Sequence, residues 1–189
     1  MRSLTRRNFV KQSGFGLLTF CIGGCEVETT PRNARKQGAA MRVLTASEVA
    51  TLEAFGEVLL PGSREAGIAN FIDHQLTAPA ESQLLMIKYL NVDPPFEPFY
   101  RDGLAALDRA ARSADQVGFH ELDAGRQQEL VSRLSSENPP GWDDGPPAPF
   151  YFFVVRNDAI DVTCGTTEGF EALRIPYMAH ILPPSRWGE

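Results

Sequence analysis

Two clusters near the start of the chain carry its clearest chemistry, and neither is catalytic. Thr5-Arg6-Arg7-Asn8-Phe9-Val10-Lys11 fits the twin-arginine export pattern Ser/Thr-Arg-Arg-x-Phe-Leu/Val-Lys, with Arg6, Arg7, Phe9 and Lys11 at the diagnostic positions. A mildly apolar stretch follows from Phe15 to Ile22, diluted by glycine and threonine. It falls well short of the about 20 residues that a membrane-spanning helix needs, so it reads as a targeting segment. The twin-arginine route moves proteins across the bacterial inner membrane already folded. Ile22-Gly23-Gly24-Cys25 has the lipobox pattern: an aliphatic residue at −3, two small residues, then cysteine. The small residues let a peptidase reach the backbone beside a thiol that carries lipid through a thioether. A diacylated, N-acylated Cys25 would tether the protein firmly, whereas a single acyl chain binds membranes only marginally. Plain cleavage further on, after Gly38-Ala39-Ala40, is the competing reading.

Catalytic chemistry is hard to find. His74, His120 and His180 are spread without paired metal-ligand spacing, and each reads more readily as a cap or surface residue than as a ligand. Cys164 and His180 could imitate a thiol nucleophile and its base, but nothing in the pattern orients them. Asp143-Asp144 reads as a solvated turn. There is no Cys-x-x-Cys-His for haem attachment, no Gly-x-Gly-x-x-Gly after a strand and no phosphate loop. The expectation is no catalytic residue, no metal site and no cofactor-binding residue in this chain.

Charge narrows the partners. The signal holds four basic residues and no acidic one, so of 18 basic residues fourteen face 24 acidic ones beyond it. A mature surface of that sign argues against nucleic acid and against electrostatic attraction to anionic lipid. Of three cysteines, Cys21 leaves with the signal and Cys25 would be lipidated. Cys164 then remains as an odd thiol in an oxidising compartment, either buried and inert or in an intersubunit disulfide.

The elements that would position these residues are helical. Residues 1–25 read as signal and lipobox, 26–44 as a polar flexible tether, and 45–189 as one helical domain with a tail from about 165. Thr45-Ala46-Ser47-Glu48 is a capping box opening a helix with Val49, Leu52, Phe55 and Leu59 on one face, stopped by Pro61-Gly62. Ile68, Phe71, Ile72 and Leu76 mark a second helix, and Leu84, Leu85 and Tyr89 a short third. After a proline-rich connector, Tyr100, Leu104, Leu107 and Ala111 describe a fourth, and Asp123 caps a fifth through Leu134. Pro139 to Pro149 is a loop, and Phe150 to Val162 reads as the most buried helix. No clean strand alternation is evident. The fold class is therefore all-α: a small irregular bundle of five or six helices with an extended, aromatic- and proline-rich tail. That tail holds Phe170, Ile175, Tyr177 and Trp187, too apolar for a solvated segment. It either wraps over its own helices or lies along a partner.

Several of these segments resemble the gluconate 2-dehydrogenase subunit 3 family. They are Leu59-Leu60-Pro61-Gly62-Ser63, Ala66-Gly67-Ile68 with Phe71-Ile72-Asp73, Tyr100-Arg101-Asp102-Gly103-Leu104 with Leu107-Asp108, Phe119 and Leu122, and the stretch from Gly165 to Trp187. The resemblance covers residues 45 to 187. It implies a small, cofactor-free subunit of a membrane-associated sugar, polyol or alcohol dehydrogenase. The large partner would be an FAD-dependent flavoprotein of the glucose-methanol-choline class, often working with a multihaem cytochrome c that carries haem c. A flavoprotein must fold where FAD is available, so a folded-protein route led by the signal of its small subunit would export it. A lipobox is not general in that family, so membrane attachment here would come from lipidated Cys25 or through the complex. The resemblance implies a non-catalytic escort located in the periplasm, with Cys164, Phe170, Ile175, Tyr177 and Trp187 at the flavoprotein interface. The competing reading is an independent periplasmic lipoprotein that serves as a ligand-binding or interaction module. An enzyme in its own right would need a convergent polar site that the residues do not supply.

Overall fold

The computed structural model describes residues 17–175. The twin-arginine residues Arg6, Arg7, Phe9 and Lys11, and His180, Tyr177 and Trp187 of the tail, lie outside them. Among the described residues the architecture is helical, as expected from the sequence, with one two-stranded sheet added. Five helices have ten or more residues: α2 (Ala46–Leu59), α4 (Ile68–Thr77), α5 (Glu97–Asp115), α6 (Ala124–Leu134) and α7 (Ala148–Cys164). Three short ones, α1 (Pro31–Lys36), α3 (Ser63–Ala66) and α8 (Thr167–Ala172), complete the set. The Leu84-Leu85-Tyr89 segment forms a 3-10 turn, Met86–Tyr89, rather than an α-helix.

The caps follow the sequence. The Thr45 side chain accepts from the Glu48 N–H while the Glu48 carboxylate accepts from the Thr45 N–H, a reciprocal box that satisfies two orphan donors of α2. Asp123 caps α6 by accepting from the Arg126 N–H at 3.0 Å. Helix α5 places Tyr100, Leu104, Leu107 and Ala111 on one face, and all four are buried. Pro149 sits in the first turn of α7, where its missing N–H costs nothing.

The core forms where α2, α4, α5 and α6 close around α7. Tyr151 of α7 is its centre. Its ring stacks on Phe55 at 5.7 Å and 3°, meets Phe99 and Trp142, and lies over Gly103 of α5. A Cβ at Gly103 would sit 2.1 Å from that ring, so only glycine lets α5 come this near to α7. Phe55 also meets Phe119 edge-on at 6.1 Å, which seats the 3-10 turn Phe119–Glu121 beneath α2.

The N-terminal residues differ from expectation. Leu18–Ile22 and Cys25–Thr29 form an antiparallel hairpin, β1 and β2, registered Phe20 to Val27 and closed by Ile22 and Cys25. Gly23 and Gly24 both have positive φ, 58° and 82°, which suits a two-residue type I′ turn. The apolar stretch and lipobox thus fold as a hairpin here. Residues 31–36 of the expected tether form α1, capped by Thr30 and docked on the domain. Its Ala34 is fully buried, Arg35 pairs with Glu53 at 2.7 Å, and Arg32 with Glu65 at 2.6 Å. The Pro31 carbonyl takes the space a Cβ would need at Gly67, whose φ is +87°. A polar composition hid these contacts because the segment buries only a few small residues.

Gly103→Ala is expected to destabilise the fold by about 1–3 kcal/mol despite alanine's better helix propensity, because the Tyr151 ring must move. Gly125→Ala, where the added methyl meets only the Asp123 carboxylate at 3.3 Å, is expected to cost nothing. Urea unfolding of the two variants checks this, and equal midpoints would contradict the packing role of Gly103.

Candidate functional site: an apolar face beside a sealed polar seam

The buried acids inside the domain bind its own backbone and side chains. The Asp158 carboxylate on α7 is fully buried; it accepts from the Met86 N–H at 2.8 Å and from the Tyr100 hydroxyl at 2.6 Å. Asp73 on α4 accepts from three successive N–H groups, Arg42, Val43 and Leu44, each at 2.8 Å, and so pins the approach to α2. Asp108 accepts from the Phe119 N–H at 2.9 Å and the Thr51 hydroxyl at 3.2 Å; that hydroxyl also lies 3.4 Å from His120 Nδ1. Arg101 spans Glu48 and Glu97 at 2.7 and 3.1 Å. Asp73, Tyr100, Arg101, Asp108 and Phe119 belong to the segments singled out in the sequence, and their geometry is that of fasteners. Among the described residues no three His, Cys, Asp or Glu side chains gather as a metal would require.

Burial dominates the ionisation of this seam. Desolvation raises the Asp158 carboxyl to about 7, against the lowering effect of the Met86 and Tyr100 bonds. The Tyr100 and Tyr151 hydroxyls are pushed well above their ordinary range, first by burial and then by the nearby Asp158 charge. At Glu48 burial pushes upward, but the bonds from Arg101 and Thr45 together prevail and leave the carboxyl below its ordinary value.

The open chemistry is apolar. A cleft of about 320 Å³ lies where β1, α1, α4, the segment before Tyr89 and the end of α7 meet. Leu18, Phe71, Leu84, Tyr89 and Val162 line it, with Asp161 on its wall, where burial raises the carboxyl above its ordinary value. Leu84 and Tyr89 are 52% and 63% exposed, large apolar side chains held in water beside an apolar hollow. Gly165 and Thr166 close the cleft at the end of α7. Beyond them Leu173 and Ile175 are also exposed.

Of the residues expected at an interface, Cys164, Phe170 and Ile175 are described, and none of them lines the cleft. Cys164, a half-buried free thiol, stands beside Gly165 at the rim. Phe170 is half-buried within α8, which Thr166 caps by accepting from the Gly169 N–H at 3.1 Å. Ile175 is exposed at the end of the described chain. Cys25 is exposed at the tip of the hairpin, beside the Gly-Gly turn. Asp143 and Asp144 lie in an exposed turn, as read. Sequence reasoning missed Leu84 and Tyr89, which it read as the buried face of a helix. It also missed the hairpin, whose signal was present: Gly-Gly between Leu-Thr-Phe-Cys-Ile and the alternating Cys-Glu-Val-Glu-Thr.

Fold and surface together define a small helical domain with a sealed polar interior and an uncovered apolar face, the outline of a subunit. The family model for gluconate 2-dehydrogenase subunit 3 matches residues 46–178, and the chain belongs to that family. The match runs from the first residue of α2 past the end of α8 and leaves out the hairpin and α1. No curated protein and no solved structure matches the chain. The family is that of an accessory subunit in a dehydrogenase complex.

The buried carboxyl makes a test of the seam. Unfolded, Asp158 loses its proton near 3.8; folded, it holds it to about 7. Its contribution to stability is therefore complete below pH 4 and is lost as the pH rises through about 7, at up to about 1.4 kcal/mol per unit. Thermal unfolding from pH 4.5 to 7.5 is expected to show a flatter dependence in Asp158→Asn than in the unaltered protein. Parallel curves would contradict the burial of an ionisable group there.

Proposed function

We propose that this chain is the non-catalytic small subunit of an FAD-dependent dehydrogenase of the glucose-methanol-choline type, acting on a sugar, polyol or alcohol. Its task is to escort the folded flavoprotein through the twin-arginine translocase and to stabilise it afterwards in the periplasm. The observation that carries this reading is the pairing of a folded-protein export motif, Arg6-Arg7-x-Phe9-x-Lys11, with a domain of the subunit 3 family whose buried acids are engaged with its own backbone and side chains. A domain of this kind gains nothing from folding before export on its own account, whereas a partner that holds FAD must do so. A multihaem cytochrome c would serve as a third subunit and electron acceptor.

The partner would cover the apolar face. Burying each large side chain left exposed there, Leu84 and Tyr89, is worth about 1.5–3 kcal/mol. We place Cys164, Phe170, Ile175, Tyr177 and Trp187 at this contact. Cys25, exposed beside the Gly-Gly turn, is the lipidation site that would hold the complex to a membrane. The exposed turn supports access by a peptidase, because the bond before Cys25 lies at the hairpin tip.

Replacing Arg6 and Arg7 together by lysine tests the escort. Fractionation is expected to find both this chain and the dehydrogenase activity retained in the cytoplasm. Normal periplasmic dehydrogenase in that strain would show that the flavoprotein travels without this chain.

A further inference from the structure

Strand β1 lies ahead of Cys25, so processing at the lipobox would remove it from a folded protein. What it leaves behind is a formed site. Strand β2 loses the partner along its whole ladder, and the Ala40 N–H loses the Cys21 carbonyl it bonds at 3.0 Å on the opposite edge of β1. Phe20, only 5% exposed, vacates a seat against Ala34 and Ala39, with the His74 ring 5.3 Å away. The floor of this seat is α4, whose His74 meets Phe20, and Gly67 just ahead of it meets Pro31. Asn70 is one turn before His74, and both carry a buried polar atom without a hydrogen-bond partner: Asn70 Oδ1 and His74 Nδ1. A permanent occupant would be expected to satisfy them, since each orphaned buried group costs about 1–3 kcal/mol. Strand β1 does not. The seat also runs into the apolar cleft through Leu18, facing exposed Leu84 and Tyr89.

We infer that the seat of β1 is a strand-accepting site, emptied by processing at Cys25 and refilled by an extended apolar segment of the dehydrogenase subunit. This rests on the reading of Cys25 given above. The departing strand shows what the site accepts: backbone that pairs on both edges, alternate apolar side chains and a large aromatic at the position of Phe20. A hydroxyl or amide donor facing Asn70 Oδ1 would complete it. The dehydrogenase is the occupant because an escorted partner is already bound when processing occurs. Its segment therefore competes at the high effective concentration of a tethered ligand. Its approach also covers Leu84 and Tyr89, which β1 leaves in water. The complex is then held loosely during export and locked after it.

The test uses the detergent-solubilised complex with the unaltered chain and with Cys25→Ser, which blocks processing and keeps β1. Intact mass fixes the N-terminus of each, and hydrogen exchange then follows the amides of residues 26–29 and Ala40. The processed chain is expected to begin at Cys25. These amides are expected to exchange at least tenfold more slowly in the complex than in the same chain stripped of dehydrogenase. In Cys25→Ser they should be protected equally with and without the partner. A natural chain that retains residues 18–24 overturns the processing reading, and the vacancy with it. A processed chain whose amides exchange alike in and out of the complex overturns the refilling alone. Protection that persists in the stripped chain and vanishes on deleting residues 176–189 assigns the site to the chain's own tail and overturns the partner as occupant.

Discussion

The domain depends on a single ionisable carboxyl placed where water cannot reach it. Asp158 sits on the innermost face of α7, and its two oxygens bind the Met86 N–H and the Tyr100 hydroxyl. Those bonds fix α7 against α5 and against the segment before Tyr89. Tyr151, two turns earlier on α7, extends the same alignment by lying over Gly103 and reaching the Tyr100 carbonyl at 3.3 Å. A buried carboxyl is costly unless it is satisfied, so the register among these three pieces is tightly held. That register leaves Leu84 and Tyr89 facing outward and builds the wall of the cleft. The apolar face is thus a consequence of how the core is fastened.

The motifs that suggested a family divide along the same lines. Tyr100, Gly103, Asp73 and Asp108 each hold one piece of chain against another, and the cleft is lined mainly by other residues. For a small subunit of a dehydrogenase complex, this division is physically reasonable. A fold must be specified by exact short-range bonds, whereas an apolar face tolerates many side chains of similar size.

What could be read from the sequence was whatever depends on local pattern. Helices α2 and α6 carry side-chain caps, α5 carries clear apolar spacing, and each stands where those signals put it. Helix α7 was legible from its density of aromatics. The missed parts depend on distant contacts. Nothing near Asp73 or Asp158 in the chain announces that its partners are about 30 or more residues away. The hairpin was hidden because its apolar strand had already been explained as an export signal; the Gly-Gly turn and the alternation in β2 were present but unused. The six-residue α8 is too short to display a period, and Leu84 and Tyr89 looked like core because exposure of a large apolar residue is a tertiary property.

These observations converge on a protein whose buried acids are satisfied from within and whose apolar cleft is open. Membership of the subunit 3 family says that a dehydrogenase complex is the kind of assembly this chain belongs to, and on our proposal the export motif would carry a cofactor-bearing partner into the periplasm. The most direct measurement is affinity purification through a tag on this chain from membranes of its own cell, with an absorbance spectrum and subunit masses taken on the eluate. The account predicts a larger chain in equal amount, with a flavin spectrum that stays with the larger chain when the two are separated. Elution of this chain alone, or with a partner that carries no flavin, would contradict it.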